Sequence, residues 1–232
     1  MVNIMHKNNL DAPLTGTKLE KDYNQKYGGI PSDLSERIQF IKQNLNVNLD
    51  QINKMISEYN KIPWKSISFS FNLIPYPTPR GRYSPVNDRF YVKGASEHQK
   101  FFRKIINIKE IIATRTEFYV TVFQPTPVSV MTKEEVLLAE LGYIKPMNQK
   151  DWDNLGKTYS DMIQGSLLLN DCIITRGTTD RNYSIRPRVE IKLDYMATFD
   201  SKFNEKRMRD SKYFKQMIRE GKYCNCEVEF DE

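Results

Sequence analysis

Residues 148–180, "NQKDWDNLGKTYSDMIQGSLLLNDCIITRGTTD", change their hydrophobic period halfway along. In the first half Leu155, Tyr159, Met162 and Ile163 fall on one face at helical spacing, and Gly165 supplies a stop. The spacing predicts a helix over 153–164. A short apolar approach then leads through Asn170-Asp171 into a strand from 172. A helix handing over directly to a strand is the repeating unit of an α/β domain.

The flanks extend that pattern. "KSISFSFNLIP" (65–75) alternates, with Ile67, Phe69, Phe71 and Leu73 on one face and serines on much of the other. A proline- and arginine-bearing loop follows, "YPTPRGRYSPVNDRFYVK", then a predicted helix over about 95–112. "TRTEFYVTVFQP" (114–125) reads as a second strand. "TKEEVLLAELGY" (132–143) reads as a helix opened by a capping box, Thr132 with Glu135, whose Val136, Leu137, Leu138, Leu141 and Tyr143 are mostly expected in the core. "SIRPRVEIKLDY" (184–195) is a last alternating strand. Together they predict a compact α/β domain over 65–195, built on a mixed sheet with packed helices. Residues 1–30 are polar and read as a flexible N-terminus. Residues 31–64 read as a helical extension, two short amphipathic helices opened by Ser32 or Asp33 and closed before Pro63. Residues 196–232 read as a basic C-terminal tail, helical over about 200–220.

Composition narrows the function. No apolar run approaches the roughly 20 residues of a membrane span, and the N-terminal residues lack the apolar core of a signal peptide. Cys172, Cys224 and Cys226 are too few for a disulfide framework, which fits a cytoplasmic protein. With only His6 and His98, a zinc or histidine-based centre is disfavoured. The formal net charge of +6 is concentrated locally: residues 66–109 carry eight Lys/Arg against two acids, and 202–222 are again strongly basic. Clustered positive charge beside aromatics suits a polyanionic partner, nucleic acid first; a solvated basic face is the plainer alternative.

Asp151 and Asp153 sit at the mouth of the 153–164 helix, with Lys157 one turn further on. Two readings fit. In one, Asp153 caps the helix and pairs with Lys157, and Asp161 extends the charged stripe. In the other, both carboxylates aim at one point beyond the helix end. Like charges there repel unless a cation compensates. Hard Mg²⁺ suits carboxylate oxygens and leaves room for phosphate. Asp171 can return to the same place if its strand lies beside the helix, and Lys157 can stabilise charge on a phosphate.

"KPMNQKDWDNLGKTYSDMIQGSLLLND" (145–171) resembles the signature of RusA-like Holliday junction resolvases: a Lys-Pro, then Asp-x-Asp-Asn-Leu-x-Lys-x-x-x-Asp, a turn and an Asp-Asp pair. Asp151, Asp153, Asn154, Leu155, Lys157 and Asp161 match in spacing, and "LIPYPTPRGRYSPVNDRFYV" resembles the family's first strand and proline/arginine loop. The resemblance implies a homodimeric, Mg²⁺-dependent endonuclease (Mn²⁺ as a substitute) that cuts four-way DNA junctions in recombination and repair, of phage or prophage type. It carries over Asp151, Asp153 and Asp171 as metal-binding acids and Lys157 as the catalytic lysine. Two departures stand out: Asn170 replaces the first acid of the Asp-Asp pair, though its carbonyl can still face a cation, and "MNQK" separates Pro146 from Asp151.

Arg80, Arg82 and Lys93, in or after the proline loop, are expected on DNA phosphates. Arg103 extends that track or is a solvated helix charge, and Lys145 before the acidic site divides evenly between the same two readings. Trp152 is expected to pack under the loop, with stacking on a splayed base as the alternative. Two other functions compete. One is a DNA- or protein-binding module on the same fold, its metal site weakened through Asn170. The other is a nucleotide-sugar enzyme using Asp-x-Asp, which gives the basic loop no role.

Overall fold

The computed structural model describes residues 33–44, 47–75, 82–84, 89–91, 109–147 and 152–226. The chain divides into two compact units, Met1–Asn60 and Lys61–Glu232. In the first, helix α1 spans Leu34–Asn44 and α2 spans Leu49–Lys61. The Asp33 carboxylate caps α1 by accepting from the N–H groups of Ser35 (2.8 Å) and Glu36 (3.1 Å). Asn48 caps α2 by accepting from Gln51 N–H at 3.0 Å.

The second unit is built on a four-stranded sheet in the order β1-β7-β5-β6, where β1 is Trp64–Phe71, β5 Thr116–Pro125, β6 Ile174–Ser184 and β7 Arg188–Met196. β7 runs antiparallel to both β1 and β5, while β5 and β6 are parallel, so the sheet is mixed. Period-2 alternation explains its faces. In β5 Phe118, Val120 and Val122 are buried, and in β7 Val189, Ile191, Leu193 and Tyr195 are. Helix α4, Trp152–Ile163, lays Leu155, Tyr159, Met162 and Ile163 on that face and completes the main core. The other face carries polar cross-links, such as Lys192 Nζ to Asp194 (2.8 Å) and Tyr119 Oη to Glu117 (2.5 Å). On that face the Arg188 guanidinium lies 3.4 Å from the Phe123 ring centre and Lys192 Nζ 5.4 Å from that of Tyr119.

Smaller elements complete the unit: a hairpin of β2 (Arg82–Ser84) and β3 (Arg89–Tyr91), β4 (Glu110–Ile111), helix α3 (Lys133–Glu140), and a 3₁₀ turn at Asp171–Ile173. The helix expected over 95–112 lies mostly outside the described residues, but its end is corrected. Residues 110–111 are strand, paired in parallel with β8 (Tyr223–Cys224). The basic segment forms two helices rather than one, α5 (Lys202–Arg209) and α6 (Lys212–Arg219). Ser211 starts the second by accepting from Phe214 N–H at 3.2 Å. A capping serine in mid-segment ends one helix and begins another, which periodicity alone does not reveal.

A second apolar cluster, Ile111, Ala113, Leu169, Phe214, Met217 and Cys224, docks α6 and β8 on the domain. Asn225 fastens that joint. Its Oδ1 accepts from Ala113 N–H (2.9 Å), and its Nδ2 donates to Thr114 Oγ1 (3.0 Å) and Met196 O (3.2 Å), all buried. Cys224 and Cys226 are bridged by a disulfide, while Cys172 is free.

α3 corrects another expectation. Its capping box is present, Thr132 with Glu135, yet Leu137, Leu138, Leu141 and Tyr143 are all exposed, and Ala139 is the helix's one buried side chain. The helix is oriented by its last residue. Glu140 accepts from Ser184 Oγ (2.9 Å) and Ile185 N–H (2.8 Å) at the end of β6. That anchor turns the alanine inward and the leucines out. Among the described residues, no helix is long and apolar enough to cross a membrane.

Candidate active site

The acidic stripe belongs to α4, and the fit of α4 against β6 positions it. Gly156 faces Thr179: a Cβ there would stand 2.4 Å from Thr179 Oγ1, so glycine is what permits the approach. One turn earlier the Trp152 indole donates its Nε1–H to Thr179 O at 2.7 Å. Trp152 is 57% exposed, and this bond fastens it to the strand; the loop residues it was expected to pack under lie outside the described residues. With the glycine and indole turned toward β6, Asp153 and Lys157 are left exposed on the helix surface, and Asp161 is partly covered. They follow one another at four-residue steps, roughly 6 Å apart along the axis.

The far end of the stripe meets Asp171. Gly165, at φ 71°, ends the helix in the left-handed conformation that glycine adopts without strain. The chain then bonds across to the 111–113 segment, Ile112 N–H to Leu167 O and Leu169 N–H to Ile112 O, both 2.8 Å. That turn delivers Asp171 back beside α4. Asp161 feels both neighbours. Its carboxyl is held above the usual aspartate range by partial burial first, with Lys157 opposing the shift and the charge of Asp171 adding to it. Burial and the Asp171 charge likewise push the Cys172 thiol upward. Asp161 is therefore the carboxyl on which the charges of Lys157 and Asp171 both act. Asp153 stands at the opposite end of the stripe, in the first turn of α4, and Asp151 lies outside the described residues.

Asp161 was not among the expected acids, although it matches the family spacing. Reading it as the end of a surface i,i+4 ladder hid it; its partial burial and its pairing with Asp171 are tertiary. Asn170 has a local role as well. It is 7% exposed, and its Oδ1 accepts from Cys172 N–H at 3.1 Å, capping the 3₁₀ turn. That oxygen holds the backbone that presents Asp171.

No group of three or more His, Cys, Asp or Glu side chains placed to hold a metal ion occurs among the described residues. The donors that do converge nevertheless suit a hard divalent cation. Asp161 and Asp171 offer only carboxylate oxygens, the donor type that hard divalent cations take. Of the expected DNA contacts, Lys145 is exposed and its Nζ donates to Asn182 Oδ1 on β6. Arg80, Lys93 and Arg103 lie outside the described residues, and of Arg82 only its place in β2 is described.

The model of the family described as "Endodeoxyribonuclease RusA" matches residues 72–194, more than half of the 232-residue chain. No curated protein matches the chain. The matched span runs from the end of β1 to β7 and contains α4, Asp153, Lys157, Asp161 and Asp171. This chain belongs to the RusA family of endodeoxyribonucleases.

Proposed function

We propose that the protein is a structure-specific endodeoxyribonuclease that resolves four-way DNA junctions, acting in the cytoplasm as a homodimer in recombination and repair, of phage or prophage origin. The observation that supports this reading is the RusA-family match over a span that holds the exposed Asp153, Lys157 and Asp171 and the partly covered Asp161. Asp151, Asp153 and Asp171 are the proposed metal-binding acids, joined by Asp161. Bound Mg²⁺, or Mn²⁺ in its place, would supply Lewis-acid stabilisation of a phosphodiester and a water of lowered pKa. The protein's own groups do the rest. Gly156, Trp152 and Thr179 hold the acidic face of α4 at a fixed depth over β6. Lys157 is exposed midway along the stripe, where its ammonium would meet charge developing on the phosphate. Arg80, Arg82, Lys93, Arg103 and Lys145 are proposed to hold the flanking backbone. The catalytically weakened binding module is the second reading. Asn170, the substitution that suggested it, has a structural task at the 3₁₀ turn.

The test uses a labelled synthetic four-way junction with wild type and with Asp153→Asn, in Mg²⁺ and in EDTA. Paired nicks from wild type in Mg²⁺ alone support the proposal. Tight junction binding without cutting in either Mg²⁺ or Mn²⁺ would favour the binding module.

A further inference from the structure

Against Cys172 and Ile173 of the 3₁₀ turn lies a cavity of about 390 Å³. Its floor comes from the family domain, with Arg115, Cys172 and Thr175 among the lining residues. Its opposite wall comes from the C-terminal segment beyond the matched span, with Phe199, Arg207 and Tyr213. The size falls within the range of about 300–1,000 Å³ of small-ligand sites. The chemistry is mixed in a particular way. Phe199 and Tyr213 give it aromatic surface, two arginines line it, and Asp200 and Asn204 add polar groups. Arg115 is held in place: its Nε donates to Thr175 Oγ1 at 3.2 Å, and its guanidinium lies 5.6 Å from the Trp64 ring centre. The wall that carries Arg207 is itself cationic, with eight Lys/Arg against three acids over residues 202–222.

We infer that this cavity takes a single unpaired nucleotide of the DNA strand, its base against Tyr213 and Phe199 and its phosphate toward Arg115 and Arg207. The inference rests on the nuclease reading above and deepens it by giving that site a strand-recognition pocket. Aromatic surface with cations on the rim is the combination that single-stranded nucleic acid meets in a protein, a ring for the base and positive charge for the backbone. Position argues for a nucleotide still joined to its strand. Cys172, in the lining, is the residue after Asp171, so the pocket opens one residue from an acid proposed to hold the metal. A strand entering the acidic site has a place beside it for the neighbouring base once that base leaves its stack. Four-way junctions supply such bases at the branch, where pairing is weakest.

The experiment uses the full chain in EDTA, so that binding is read without cutting. Junctions carrying one abasic site, moved stepwise through the nucleotides flanking the branch, are titrated by fluorescence anisotropy. In parallel, the rate of maleimide modification of Cys172 is followed, since Cys224 and Cys226 are bridged. The expected result is one position at which the abasic site weakens binding about 10-fold, within the range of base–aromatic stacking, and restores the Cys172 modification that intact junction suppresses. Tyr213→Ala and Arg207→Gln, checked for unchanged melting temperature, should each flatten that positional penalty. A flat scan in wild type overturns the inference, and so does a penalty that persists in both variants. Protection of Cys172 by free deoxynucleoside monophosphate alongside a flat scan would overturn it in favour of a site for free nucleotides. The two readings also fail separately. A positional penalty without cutting in Mg²⁺ removes the nuclease and keeps the pocket; cutting with a flat scan does the reverse; no DNA binding at all removes both.

Discussion

Replacing Gly156 by alanine tests whether the contact with Thr179 sets the position of the acidic helix. Two effects oppose each other. In mid-helix, Gly→Ala gains about 1 kcal/mol of propensity. Against that, the new Cβ would stand 2.4 Å from Thr179 Oγ1, a distance that requires the strand side chain to rotate or α4 to move. Overpacking of this kind costs about 1–3 kcal/mol. Gly156→Ala should therefore be neutral to about 2 kcal/mol destabilising. In a Thr179→Ala background, where the obstructing hydroxyl is gone, the same change should stabilise by about 1 kcal/mol. The coupling between the two sites is then about 1–3 kcal/mol, measured as a double-mutant cycle by urea denaturation. Displacing α4 should also lower junction cleavage more than melting temperature, because sub-ångström placement matters to catalysis before it matters to stability. Equal stabilisation by Gly156→Ala in both backgrounds would refute the close-approach argument.

Other substitutions probe the remaining links. Asp161 binds its proton more tightly in the folded chain, so its ionisation weakens folding. That penalty is absent below the ordinary carboxylate range and sets in as pH rises through the raised value. Asp161→Asn should thus be more stable than wild type at neutral pH and indistinguishable from it in strong acid, as read from urea midpoints across pH, while losing cleavage. Millimolar Mg²⁺ should raise the melting temperature of wild type and raise it less in Asp161→Asn, because a ligand stabilises only through the state that binds it; equal shifts would remove Asp161 from the metal set. Asn225→Ala strands buried partners at Ala113, Thr114 and Met196. At about 1–3 kcal/mol for an unsatisfied group, a loss of about 3–5 kcal/mol is expected by denaturation, and a loss below 1 would mean the C-terminal joint does not hold the domain.

The α/β class and the strand–helix order were legible because the strands alternate strictly and α4 places Leu155, Tyr159, Met162 and Ile163 on one face. What escaped was set by distant partners. The leucines of α3 read as core because periodicity reports that a helix has an apolar face, whereas Glu140 and its bonds to Ser184 and Ile185 decide which way that face turns. Residues 110–111 continue an apolar run that reads as helix, yet their strand pairing is with residues more than a hundred positions later. At the site, Asp153, Lys157 and Asp171 stood out by motif. The grouping of Asp161 with Asp171, and the capping task of Asn170, depend on how the turn at Gly165 returns the chain, which spacing along the sequence does not encode.

The most direct measurement of the central claim is cleavage of a supercoiled plasmid bearing an extruded cruciform, with wild type and Asp153→Asn in Mg²⁺. Two coordinated cuts across the branch convert the plasmid to a linear product in one binding event. Linear product formed early by wild type, absent in EDTA and reduced at least about 100-fold in Asp153→Asn, is the result expected of a metal-dependent junction resolvase acting through this site. Cruciform plasmid left uncut, or an undiminished rate in Asp153→Asn, would contradict it.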